Sequence, residues 1–397
     1  MGSEGFAHRR SRGAGLGATA CFLLTGAVYA TWASRVPAIK GGLGLGDGQF
    51  AIALLGLEAG AVLGLQFGGL AVPRVGNRRT LTISLAVFAC ALLGPALAPS
   101  LLLLAVSLFV FAALNSVVDV AMNAQGVALQ RVMGRPVLSG LHAMHSLGGV
   151  LGAGAGALAA RLGSAPPQHF LACAVAAVVA GLAAWPLLLP SRSDAREEPS
   201  EDEPEGAGGL RRWFGGWSLP IFLLGALAFC FTLAEGAGLN WSTVYITESL
   251  GGTEALGSVA LGVFLGAVTL GRLVGDGLVT RFGAVLVFRA GAVLAGVGFG
   301  AALLVDVPAA GLVGVGLLGA GIANALPLAI GAGGNAPGET PATATARVST
   351  LGYLGSFVGP VLVGSLASLS SLPLALGLPV LLVLVAAFGA RAVRQAG

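Results

Sequence analysis

The sequence predicts an all-α polytopic membrane protein: twelve transmembrane helices in two parallel-repeat six-helix bundles. Three observations carry this. Of the 397 residues, 56% are hydrophobic and only 10% charged, with a mean hydropathy of +0.90, whereas a soluble domain carries about a quarter charged residues. Twelve apolar windows, each long enough for the roughly 20 residues that cross a bilayer, follow one another along the chain. The second six windows repeat landmarks of the first six.

The windows lie near residues 14–36, 48–72, 80–98, 100–124, 138–162, 169–189, 218–245, 256–279, 283–305, 308–331, 346–369 and 373–390. The first has basic residues before it and small residues after it, as a signal peptide does. Its apolar stretch is long and eleven more follow, so it is assigned as a membrane helix. This divides the chain into a cytoplasmic tail (1–13), an N-terminal six-helix bundle (14–189), a linker (190–217), a C-terminal six-helix bundle (218–390) and a cytoplasmic C-terminal tail (391–397). The linker holds seven of the seventeen acids in SRSDAREEPSEDEPEG and cannot bury an apolar face, which predicts a disordered hinge between the halves.

Charge sets the orientation. With the N-terminus inside, seventeen basic residues fall in cytoplasmic segments, among them Arg74, Arg78, Arg79, Arg131 and Arg281. Only Arg35, Lys40 and Arg161 fall outside, and Arg272 lies within a span. That bias predicts both termini in the cytoplasm. Arginine outnumbers lysine twenty to one, a composition that suggests a GC-rich bacterial genome and hence the bacterial plasma membrane.

An offset of 207 residues places Thr25 on Thr232, Gly64 on Gly271, Gly68 on Gly275, Arg74 on Arg281 and Gly76 on Gly283, while Trp32 and Trp241 match at 209. Two like-oriented halves imply a parallel repeat about an axis along the membrane normal. The 65 glycines follow no three-residue period and sit inside apolar runs. Gly56, Gly60, Gly64 and Gly68, then Gly148, Gly152 and Gly156, Gly262 and Gly266 followed by Gly271 and Gly275, and Gly355 and Gly359 recur at four-residue spacing, which lets two helix backbones approach closely. They stand on spans two, five, eight and eleven, and are expected at the contact between the halves.

With these features the chain resembles the major facilitator superfamily of secondary transporters along nearly its whole length. The superfamily's loop between spans two and three runs G-x-L-A-D-R-x-G-R-R; here Gly69, Arg74, Gly76, Arg78 and Arg79 stand in GLAVPRVGNRR. Pro73 replaces the acid and Asn77 an arginine, so the charged gate contact of that acid does not carry over. The second half has a looser copy, GRLVGDGLVTRFG, with Arg272, Asp276, Arg281 and Gly283. WASRVPAIK and DVAMNAQGVALQR are similar to a poorly characterised bacterial branch. The resemblance implies alternating access, a cavity lined by spans one, four, seven and ten, and a cytoplasmic gate containing Arg74, Gly76, Arg272, Asp276 and Arg281.

An ionisable group at bilayer depth is costly and needs a role or a partner. Asp119 ranks first. Asn115, Asp119 and Asn123 recur every four residues and form one polar stripe on span four. Symporters of sugars and protons with this layout place an acid on span four, so Asp119 is expected to carry the coupling proton, with Glu235 on span seven and Glu58 on span two as further candidates. Glu58 lies about 200° from the glycine stripe at 100° per residue. Arg272 and Asp276, four apart, can pair with each other. His142 could relay protons near Asp119, while His145 is assigned to packing. Asn115, Asn123, His142, Asn324, Trp32 and Trp241 are the candidate substrate ligands; both tryptophans could equally be interfacial anchors.

No phosphate-cradling G-x-x-x-x-G-K run, nucleophile elbow or zinc-protease spacing occurs. The four cysteines lack metal-ligand spacing. The expectation is therefore a non-enzyme without cofactor or metal, monomeric in the bilayer, with no nucleic-acid partner. It moves a small polar solute with a proton as coupling ion. The alternatives are a proton-driven exporter of amphipathic metabolites or drugs, and a non-transporting membrane receptor or membrane-embedded enzyme.

Overall fold

The protein is described from a computed structural model, which covers residues 3–134, 137–190, 218–334 and 341–394. The acidic linker, past Pro190, falls outside the described residues, as do Arg135 and the four linker arginines.

Twelve helices are long and apolar enough to cross a membrane. They are span one (Gly13–Ser34), two (Asp47–Val75), three (Asn77–Leu97), four (Leu101–Met133), five (Gly140–Arg161), six (Pro166–Leu187), seven (Leu219–Ser249), eight (Glu254–Phe282), nine (Ala284–Ala302), ten (Pro308–Gly334), eleven (Arg347–Leu369) and twelve (Leu372–Val393). In hydrocarbon each backbone N–H and C=O must be paired within its own segment, which leaves the helix as the local solution for such windows. Two ends differ from expectation. The first helix already starts at Ser3, ahead of its apolar window, and span four runs on to Met133, well past residue 124.

Local chemistry sets the helix ends. Ser100 and Thr253 cap spans four and eight by accepting from the amides of Leu103 and Leu256, at 3.4 and 3.2 Å. Gly76 and Gly283 hold φ of 88° and 81° in the turns after spans two and eight. A side chain at this backbone conformation would be strained. The two turns are equivalent positions of the repeat.

The halves are built alike. Span one packs on five and six, two on four, and three on four and six; likewise seven packs on eleven and twelve, eight on ten, and nine on ten and twelve. The halves meet where span five faces span eight and span two faces span eleven. The glycine stripes do something other than expected. A Cβ at Gly56, Gly60 or Gly64 would stand 2.2, 2.0 or 2.2 Å from carbonyl oxygens of Ala105, Phe109 and Ala113 on span four. Gly148 and Gly152 meet Leu23 and Ala27 of span one in the same way, and Gly355 and Gly359 meet Phe229 and Leu233 of span seven. These stripes therefore tighten each half internally. Gly262 and Gly266 instead face Ala153 and Val150 across the interface, and Gly156 faces Ser258 there as well as Ser34 of its own half.

Span ten is broken. Its helix runs Pro308–Ile322 and resumes at Ala325–Gly334. Pro327 has no N–H to offer the Ala323 carbonyl one turn earlier, so that oxygen loses its helical donor.

Candidate functional site

The freed carbonyl at the break is taken by an arginine from the neighbouring helix. Arg272 Nε donates to Ala323 O at 3.3 Å, and Arg272 Nη2 bonds Glu235 Oε1 of span seven at 3.0 Å. The expected Arg272–Asp276 pair does not form. Helical side chains lean toward the N-terminus, which turns Arg272 toward mid-membrane, while Asp276 sits a turn nearer the end of span eight. Asp276 is exposed, and its backbone carbonyl accepts from Thr280 Oγ1 at 2.8 Å. The Arg272 side chain is 42% exposed and that of Glu235 25% exposed, so this pair borders open space.

In the N-terminal half the span-four stripe forms a chain. Asn123 Nδ2 donates to the Asp119 carbonyl at 2.9 Å and to Asp119 Oδ1 at 3.2 Å. Both partners are acceptors, so the Asn123 amide orientation is set, and its Oδ1 faces His142 Nε2 at 3.0 Å. An amide oxygen only accepts, and His142 therefore carries a proton on Nε2. Phe22 of span one supports the ring edge-on at 5.2 Å.

The charges of Asp119 and Arg272 both act on His142, and those of Asp119, Glu235 and Arg272 act together on the Tyr353 hydroxyl of span eleven. Spans four and five from one half and seven, eight and eleven from the other thus converge on one polar cluster. Tyr353 carries no charge to mark it in the sequence, and its companions at helical spacing, Ser349 and Ser356, are small hydroxyls common in membrane helices.

The remaining candidates are placed as follows. Asn115 continues the Asp119 stripe, with its Oδ1 buried and unbonded. Glu58 is half-buried and acts on Tyr29 of span one, which stacks on Phe111 at 6.2 Å, so it faces the interior of its own half. Asn324 donates to Gly271 O at 2.9 Å and stands where a Gly275 side chain would be, so its amide is occupied in joining spans eight and ten. Trp32 and Trp241 are fully buried. Trp241 donates to Pro360 O at 2.9 Å and meets Phe50 edge-on at 5.4 Å. Neither indole is free to stack on a solute in this conformation. Arg74 and Arg281 are exposed at the ends of spans two and eight, and Arg281 lies over the Phe282 ring. Asn77, at the arginine position of the loop, is fully buried with its amide 3.0 Å from that of Gln125.

At the opposite end the halves are bolted together. Arg35, only 3% exposed, donates to Ser164 O at 2.9 Å and lies 3.4 Å from Glu254. Burial lowers the pKa of its guanidinium below the ordinary value, and the Glu254 carboxylate acts the other way. Lys40 joins Asp47 at 2.9 Å and also bonds Glu248 of the other half. Ser258 Oγ donates to Ser34 O at 2.8 Å. Sequence reasoning counted Arg35 and Lys40 only as topological signals.

Two repeated six-helix halves, joined by ion pairs at one end and each contributing charged groups to a cluster within the membrane spans, define a secondary transporter. Residues 17–360 match the model of the Major Facilitator Superfamily, and the chain belongs to that family, whose members are transporters rather than enzymes. An uncharacterised transporter of that type from Yersinia pestis is 33% identical over 374 residues, covering 94% of each chain. An uncharacterised transporter of Sinorhizobium fredii is 34% identical, covering 90% of this chain and 92% of its own. Membrane protein MosC of Rhizobium meliloti is 28% identical over 87% of this chain and 82% of its own. Among solved structures, a mutant of the nucleoside transporter NupG superposes with a TM-score of 0.76 at 12% identity, covering 96% of this chain and 99% of that one. A bacterial homologue of the lysosomal transporter Spinster, inward-facing and occupied, gives 0.69 at 14% identity, with 96% and 97% covered. At these identities the likeness is one of fold.

Proposed function

We propose that the protein is a proton-coupled transporter of a small polar solute in the bacterial plasma membrane, working as a monomer with both termini cytoplasmic. The observation that carries this reading is the Asp119–Asn123–His142 chain on the cleft wall. A carboxyl and an imidazole joined through one amide at membrane depth can hold a proton while access alternates. Solute binds between this chain and the Arg272–Glu235 pair. Asp119 loads and releases the coupling proton, Asn115 and Asn123 contact solute hydroxyl or amide groups, and Glu58 responds within the N-terminal half. Arg74, Gly76, Asp276 and Arg281 belong to the cytoplasmic gate.

The seventeen-to-three bias of basic residues supports the orientation. With that orientation the Arg35 end is outer and shut, and the cleft faces the cytoplasm. An exporter of amphipathic compounds would call for an aromatic, apolar cleft, whereas the groups gathered here are a carboxylate pair, an arginine, an imidazole and a phenol. The test is uptake into proteoliposomes of a solute selected by thermal shift, with and without an inward proton gradient. Accumulation only with the gradient is expected; equal uptake in both conditions overturns the coupling.

A further inference from the structure

The Arg272 guanidinium is held on two sides and open on the third. Nε is fixed by the Ala323 carbonyl that Pro327 frees and Nη2 by Glu235, while Nη1 makes no bond among the described residues. Every other basic residue of the described spans lies within about two turns of the end of its span, where it can reach the interface. Arg272 alone sits deeper, more than two turns from Phe282. A cation kept at that depth is costly unless it has work to do. Its contact with Glu235 is single and end-on, through one nitrogen and one oxygen, which leaves the planar fork of the guanidinium available to a second oxyanion.

We propose that the transported solute carries a carboxylate, which binds Arg272 in place of Glu235. The inference rests on the transporter reading above and adds the substrate class. Displaced from its cation, Glu235 is left without a partner, and the coupling proton carried by Asp119 balances the charge of the entering anion. One anion and one proton then enter together, and the charge of the occupied cleft equals that of the empty one. The opposite wall supplies the rest of the recognition. Asp119, Asn123 and the Nε2–H of His142 offer acceptors and a donor to hydroxyl or amino groups on the far side of the solute.

The experiment uses matched pairs that differ only in carboxylate against hydroxymethyl: glucuronate and glucose, glycerate and glycerol, lactate and propane-1,2-diol. Thermal shift is measured on the purified full chain at pH 6 and pH 8, followed by flux of the same compounds in proteoliposomes. An acid is expected to stabilise the protein where its alcohol does not, with affinity rising as pH falls by up to about tenfold per pH unit, the limit for one proton per anion. Arg272→Gln loses the response. Glu235→Gln, which no longer competes as an anion for the Arg272 guanidinium, keeps it. It also serves as the variant whose folding is checked by the response itself. Stabilisation by alcohols as well as acids, no response to any acid, or a response retained in Arg272→Gln overturns the proposal. If an alcohol binds and crosses the membrane, the substrate class fails and the transporter reading stands. If an acid binds and no compound crosses under any gradient, the transporter reading fails while the anion site stands.

Discussion

Arg35 and Glu254 lie 3.4 Å apart and belong to opposite halves of the chain. The arginine is buried and the glutamate 45% exposed, so solvent screens the pair, and its loss is worth on the order of 1 kcal/mol. That energy acts on the balance between outward- and inward-open states, where it shifts populations by roughly fivefold. Glu254→Gln is expected to raise maleimide labelling of a cysteine placed at Ser258, beneath the latch. Unchanged labelling would show that the Lys40 contacts alone hold this end.

Gly60 rests against the Phe109 carbonyl so closely that any Cβ would collide with backbone. Gly60→Ala must push span four away, at a cost of roughly 1–3 kcal/mol. Gly69, with nothing within 4 Å, is the control. The thermal midpoint is expected to fall in Gly60→Ala and to stay at the parent value in Gly69→Ala.

Pro327→Ala separates stability from activity. The new N–H can bond the Ala323 carbonyl, closing the break in span ten for about 1 kcal/mol, and Arg272 then loses one of its two anchors. A thermal midpoint equal to or above the parent's is expected, with transport reduced at least several-fold. A variant both destabilised and fully active would contradict the role given to the break.

Much of this architecture was legible in the sequence, because hydrophobic windows and glycine spacing are one-dimensional signals of bilayer thickness and backbone approach. The four-residue recurrence of Asp119 and Asn123 also reports a real contact, since both lie on one helix. What needed the fold was every choice among partners. Gly60 announces a close neighbour without saying whether it is span four or the other half. Arg272 has an acid four residues on, yet bonds Glu235 from the adjacent helix. Trp32 and Trp241 look alike whether they line a cleft or fill a core. Tyr353 enters the cluster only because span eleven crosses there.

Asn123 bridges Asp119 and His142 without carrying charge of its own. Asn123→Leu, close in size and unable to bond either group, is expected to lower gradient-driven uptake tenfold or more while the protein still exchanges solute at equal pH. His142→Gln, which can still offer an N–H to Asn123, is expected to fall between parent and Asn123→Leu. Loss of exchange together with uptake in Asn123→Leu would instead make the residue part of solute binding alone.

The most direct test of proton coupling through Asp119 is accumulation of the selected solute by proteoliposomes under an inward proton gradient, parent against Asp119→Asn. The parent is expected to concentrate the solute, and the variant to bring it only to equal concentration on both sides while still exchanging it. An Asp119→Asn protein that concentrates the solute as well as the parent does would contradict the account.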